Sequence, residues 1–272
     1  MRSVAYVHGP ERIHEMARAF AAGAEANGVP CRIRDVLTPK ECGAKVVWVY
    51  GLGPAMPAFN THPKALRIVG DVGYFSEQAI RPRFHRISLN AQQPDAHLRL
   101  KPHSAERWER LNIGVEPVKR RGDYILLCGM GPKQATRQGF EYGQWEREQF
   151  NRVRAVTDRP ILVREKPKNP PIDGVPRSSH ATTGEALRSA WAVVCKTGNI
   201  GVDAILHGVP VIAEAGPGSI YYTERLEDIE QIQPISPDVR IAALSDISYW
   251  QWTLEEMRAG QLWRHLKNEG FI

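Results

Sequence analysis

The stretch Ala192-Val193-Val194-Cys195-Lys196-Thr197-Gly198-Asn199-Ile200-Gly201-Val202-Asp203-Ala204-Ile205-Leu206-His207-Gly208-Val209-Pro210-Val211-Ile212 decides the fold. Ala192–Cys195 is short and apolar, as a buried strand is. Lys196–Asn199 is a turn rich in small and polar residues. Ile200–His207 is a short helix that Gly208 stops, and Val209–Ala213 is the next strand. Apolar strands joined through a helix imply a parallel sheet covered on both faces.

The same alternation extends outward. Tyr124–Cys128 is a strand that runs into Gly129-Met130-Gly131-Pro132-Lys133. Gln144–Val156 is helical and Ile161–Arg164 is a strand. Thr183–Trp191 is a helix, with Thr182 or Thr183 as its cap and Glu185 in its first turn. Nearer the N-terminus, Ser3–His8, Cys31–Val36, Lys45–Tyr50, Leu66–Val69 and Arg86–Leu89 are strands. The apolar stripe Ile13, Met16, Ala17, Phe20, Ala21 and Ala24 marks a helix between the first two. The tail Ser248–Leu266, with Trp250, Trp252 and Trp263, reads as an amphipathic helix starting near Thr253-Leu254-Glu255-Glu256. These elements predict an α/β chain with Rossmann-like halves: residues 1–120, then residues 121–247, then a segment 248–272 that packs back on the first.

The chain has 272 residues, 42% of them hydrophobic and 24% charged, and a net charge of +6. That is an ordinary globular composition, with a mild basic excess that permits a polyanionic partner without requiring one. No apolar run is long enough to cross a bilayer. The opening residues run directly into a strand without a signal-peptide core, and the four cysteines form no CxxC pair. These features lead us to expect a cytoplasmic protein without membrane contact and without a metal site.

Ligands of parallel α/β sheets bind at the carboxyl ends of the strands. That rule selects Lys196, Thr197, Gly198, Asn199 and Gly201, where small residues let backbone N–H groups approach an anion. Asp203, one turn further on, has the chemistry to accept ribose hydroxyls. It also selects Gly129, Gly131 and Lys133 as a second anion loop, and Arg164 and Lys166 as strand-end cations. In the first half it selects Asp71, in Gly70-Asp71-Val72-Gly73-Tyr74-Phe75, and His8 as proton acceptors, with His85 a third candidate. A plain glycine turn or a solvated charged edge explains each of these equally well when taken alone.

Taken together, Thr197–Ile212 resembles the donor-site signature of GT-B glycosyltransferases, with Asp203 five residues before Gly208 at the place of the family's ribose-binding acid. The segments Gly70–Phe75, Ile87–Asn90 and Tyr249–Gly260 look like those of phage-encoded sugar transferases acting on hydroxymethylated pyrimidines in DNA. The resemblance implies a GT-B-like fold of two Rossmann-like domains facing a cleft, with the final helix crossing back to the first. It implies a hexosyltransferase that needs no metal and no tightly bound cofactor. Its co-substrate would be a UDP-sugar (UDP-glucose or UDP-GlcNAc), and its acceptor the hydroxyl of a 5-hydroxymethylpyrimidine such as 5-hydroxymethylcytosine in bacteriophage DNA. The place of action would be the host cytoplasm, and the active form a monomer. Asp71 or His8 would serve as base. Lys101, Arg107, Arg110, Lys119, Arg120 and Arg121 would contact double-stranded DNA. The rival readings are a transferase acting on a polysaccharide or small molecule, a UDP-sugar epimerase, and a DNA-binding module without donor binding.

Overall fold

A computed structural model describes residues 1–51, 56–75, 84–90, 102–117, 122–221 and 225–272. The chain divides into two units, Met1–Pro94 with Tyr249–Ile272, and Asp95–Ser248. In chain order the first unit begins with β1 (Ser3–Val7), α1 (Glu11–Glu25), β2 (Cys31–Asp35), β3 (Val46–Tyr50), α2 (Met56–Thr61), β4 (Leu66–Val72) and β5 (Phe84–Leu89). The second contains α3 (Glu106–Leu111), β6 (Tyr124–Cys128), α4 (Pro132–Arg137), α5 (Gln144–Arg154), β7 (Ile161–Arg164) and α6 (Thr183–Arg188). It continues with β8 (Ala190–Cys195), α7 (Ile200–Leu206), β9 (Val211–Ala213), α8 (Pro217–Tyr221) and α9 (Pro237–Ser248). The chain then returns to the first unit with β10 (Gln251–Thr253), α10 (Leu254–Arg258) and α11 (Gln261–Asn268). This is the α/β, GT-B-like class, with two Rossmann-like units. The units meet at Pro94/Asp95 and at Ser248/Tyr249, and α3 belongs to the second unit.

The first unit's sheet has the order β10-β5-β4-β3-β1-β2. Its strands alternate between two buried faces. Val4, Tyr6, Val47, Val49 and Val69 pack on one side with Phe59 of α2. On the other, Trp48 stacks on Phe20 of α1 at 5.9 Å, and Phe20 meets Trp263 of α11 at 5.0 Å. Burying apolar residues on both faces is what makes these strands read as continuous apolar runs.

The returning segment lies close against α1. A Cβ on Gly23 would stand 2.1 Å from the Met257 carbonyl oxygen, so only glycine permits this approach. Asn27 Nδ2 donates to the carbonyls of Gly23 (2.8 Å) and Gly260 (3.1 Å), and the Trp263 indole donates to Phe20 O at 3.1 Å.

Two sequence expectations need correction here. The first unit's sheet is mixed, because β5 runs antiparallel to β4 and β10 antiparallel to β5. Too few residues separate Val72 from Phe84 for a helical crossover, which needs about a dozen or more. The tail also opens with a strand before its helices. Thr253 is the N-cap of α10, extended at φ -77 and ψ 160, so the helix cannot start earlier. Gly260, at φ +75, then separates α10 from α11.

The second unit's sheet is wholly parallel, in the order β7-β6-β8-β9. Thr182 caps α6 through a full capping box with Glu185. Arg240 of α9 is 3% exposed and donates to the carbonyls of Ile205 (2.9 Å) and Leu206 (2.7 Å). A cation thereby satisfies the orphan carbonyls at the end of α7. Among the described residues no helix is long and apolar enough to cross a membrane.

Candidate functional site

Register fixes what meets at the carboxyl edge of the second sheet. Cys128 pairs with both Arg164 and Cys195, and Cys195 pairs with Ala213. The four strands therefore end level with one another. Their following residues, Gly129, Glu165, Lys196 and Glu214, share one edge with Arg164. The two neighbouring thiols are inert fillers, since burial pushes Cys128 up to about 12 and raises Cys195 as well.

The glycine loop after β6 is built around a buried acid. Glu146, on the first turn of α5, is 1% exposed, and its Oε1 accepts the Met130 N–H at 2.6 Å. A Cβ on Gly129 would stand 1.7 Å from that oxygen, so the loop passes the carboxylate only as glycine. Glu146 Oε2 is buried without a partner among the described residues, and burial raises the carboxyl above its ordinary value. Gly131 caps α4, and Lys133 is exposed in its first turn.

Two more loops complete the edge. After β8, Lys196 Nζ lies 2.7 Å from Glu214 Oε2, and Thr197 Oγ1 is buried with no partner among the described residues. Gly198 adopts φ +116, a backbone conformation that favours glycine. Asn199 is the N-cap of α7. Gly201 serves packing instead, since its Cβ position lies 3.0 Å from Gly218 Cα of α8. Asp203 is 2% exposed and lies within electrostatic range of Cys128. Arg164 Nη1 donates to the His180 carbonyl at 2.9 Å, and Lys166 is exposed at the start of the next loop.

The structure thus gathers Gly129, Gly131, Lys133, Arg164, Lys166, Lys196, Thr197, Gly198 and Asn199 along one edge. The sequence reading passed over Trp145, Glu146 and Glu214. Trp145 Nε1 donates to Glu214 Oε1 at 2.6 Å, so consecutive residues of α5 hold both the β6 loop and the β9 end. Glu214 follows a strand directly, and the strand-end rule that selected Lys196 selects it too. Nothing in the pattern of α5 singles out Trp145 or Glu146.

In the first unit Asp71 stands opposite Arg86 across β4 and β5. Its Oδ2 accepts from Arg86 Nη2 at 2.7 Å and its Oδ1 from the Val72 N–H at 2.8 Å. Asp71 is thus held by Arg86 and by the backbone at the end of β4. His8 follows β1 directly, half exposed and 4.0 Å from Asp35 Oδ1. His85 is kept below its ordinary value chiefly by burial, and its Nδ1 is sealed without a partner among the described residues.

Of the six expected DNA contacts, Lys101, Lys119, Arg120 and Arg121 lie outside the described residues. Arg107 is 7% exposed and donates from Nε to the Ser248 carbonyl at 2.8 Å. Arg110 is exposed and sits 3.6 Å from Glu106.

No protein-family model and no curated protein matches the chain. Solved structures do. Thermosulfurimonas dismutans KpsC, described as a beta Kdo 2,7 transferase, superposes with a TM-score of 0.56 at 14% identity, over 96% of this chain and 99% of that one. The beta Kdo 2,4 transferase of the same organism's KpsC gives 0.48 at 12% identity, covering 89% of each chain. Fainter still is Methanocaldococcus jannaschii UDP-GlcNAc 2-epimerase in complex with UDP-GlcNAc and UDP, at 0.33 and 11% identity over 98% and 100%. The chain therefore has the fold of the first of these.

Proposed function

We propose that the chain is a glycosyltransferase that binds a nucleotide-sugar donor at the carboxyl edge of its second unit. One observation carries this reading. Four parallel strands end in register, and their loops put Arg164, Lys196 and a glycine-lined turn on one edge. A donor's phosphates need cations and open backbone, and the leaving nucleotide needs its growing charge neutralised. The donor is a UDP-sugar in this reading, and Asp203, 2% exposed, would have to be uncovered to reach its ribose. The fold shared with a protein described as a Kdo transferase agrees with sugar transfer.

The acceptor offers a hydroxyl. The likeness of Gly70–Phe75 and Tyr249–Gly260 to phage DNA-sugar transferases makes hydroxymethylpyrimidine DNA the first acceptor to try. Asp71 is the first candidate for the base in this reading, held beside Arg86, and the half-exposed His8 is the second.

The test is incubation with UDP-glucose, UDP-GlcNAc and other nucleotide sugars, with and without hydroxymethylated duplex DNA, followed by digestion and mass measurement of the nucleosides. A hexose added to the base supports the full reading. Donor-dependent thermal stabilisation without base modification keeps the transferase and removes the DNA acceptor. Absence of stabilisation by any nucleotide or nucleotide sugar removes the donor site.

A further inference from the structure

Lys196 sits among one carboxylate and two rings on the edge. Its ammonium lies 2.7 Å from Glu214 Oε2, 4.7 Å from the Phe140 ring centroid and 5.7 Å from that of Trp145. Glu214 is itself fixed through Oε1 by the Trp145 indole N–H at 2.6 Å. Two rings and a carboxylate thus form a cage around the lysine's charge, and the lysine side chain is only 14% exposed.

The cage stands where an anionic ligand would need that same charge. Its carboxylate is 43% exposed, so the pair is screened and weakly held. The ammonium ends a flexible four-carbon stem and is free to change partners. We propose that Lys196 has two positions: at rest in the Phe140–Trp145–Glu214 cage, and moved onto a phosphate when a nucleotide binds. Glu214 and Trp145 are then positioning residues that compete with the ligand for the lysine. This inference rests on the donor-site reading above.

Competition has a sign. Removing the carboxylate frees the lysine and removes a negative charge facing the phosphates. Glu214→Gln therefore binds nucleotide more tightly, by about two- to fivefold, the range of a screened ion pair. Lys196→Met binds it more weakly. Trp145→Phe keeps a ring but loses the indole donor, and shifts affinity the same way as Glu214→Gln by a smaller factor.

The experiment uses the full chain with 13C-labelled lysine, the Lys196 ε-methylene signal being assigned by its loss in Lys196→Met. UDP, GDP and CMP are added in turn. The nucleotide that binds moves the signal from its ring-shifted position toward that of solvent-exposed lysines, and binds Glu214→Gln more tightly than wild type. A bound nucleotide that leaves the signal in place, or a Glu214→Gln variant that binds it more weakly, overturns the two-position lysine alone. Binding of none of the three overturns the donor reading and this inference with it.

Discussion

Two ion pairs, one at the carboxyl edge of each sheet, are built differently. Asp71–Arg86 closes at 2.7 Å with side chains 20% and 5% exposed. Lys196–Glu214 closes at the same 2.7 Å with 14% and 43%. Equal length conceals unequal strength. A desolvated pair is costly to half-remove, because the surviving charge stays buried. A half-exposed pair gives its partners back to water cheaply. The first pair works as a clamp between β4 and β5, and the second as a holder from which a charge can be taken.

The strongest way to break this contrast is to halve each pair and measure stability. Asp71→Ala should cost about 3–5 kcal/mol in urea unfolding, and Glu214→Ala below about 1 kcal/mol. Equal costs would end the distinction. If Asp71→Asn instead keeps wild-type stability and loses all sugar transfer, Asp71 is a base.

Next in size is the anion edge itself. Arg164→Ala should weaken binding of the nucleotide that stabilises wild type by about 1.5–3 kcal/mol, the usual worth of a charged hydrogen bond. Titration calorimetry reads this directly, and an unchanged affinity would confine Arg164 to holding the His180 carbonyl.

Gly129→Ala forces a methyl onto Glu146 and should cost about 1–3 kcal/mol of stability. Adding Glu146→Ala should return much of it, because the clash then has no second partner. Failure of that rescue would mean the glycine serves its backbone rather than its neighbour.

The acid under the loop gives a subtler, pH-dependent effect. Burial raises Glu146 in the folded chain above its ordinary 4.5. Its favourable protonated state is fully present below about pH 4.5 and is lost as pH rises through the folded value. Glu146→Gln has no such loss, so its stability relative to wild type should climb as pH is raised from 4 toward neutrality. A flat difference would mean that Glu146 titrates normally. Smallest of all, Arg110→Ala should leave stability within about 0.5 kcal/mol. It should lower the salt dependence of duplex retention by about one phosphate contact if that face meets DNA.

What was legible in the sequence depended on range. The capping boxes at Thr182–Glu185 and Thr253–Glu256 are four-residue patterns, so the helix starts they mark are legible locally, with Thr182 the cap where Thr182 and Thr183 both offer one. The strand Tyr124–Cys128 announces itself because both faces are covered, whereas β8 starts at Ala190, two residues inside the span that reads as helix to Trp191. Strand β10 hid behind a helix signal that starts at its last residue. The Trp145–Glu214 bond joins residues 69 positions apart, and no local periodicity encodes it. Asp71 was legible as a strand-end carboxylate, but its arginine partner sits on a strand whose direction the sequence reading had reversed.

The Gly23–Met257 contact also bears on how the molecule is made. Because residues from Tyr249 onward complete the first unit, that unit waits on the ribosome. Met1–Pro94 is made before Tyr249–Ile272, so its β5 edge and the Phe20 side of α1 stay uncovered until those residues arrive. At roughly 5–20 residues per second, the intervening Asp95–Ser248 takes on the order of ten seconds to synthesise. The second unit can therefore finish folding before the first.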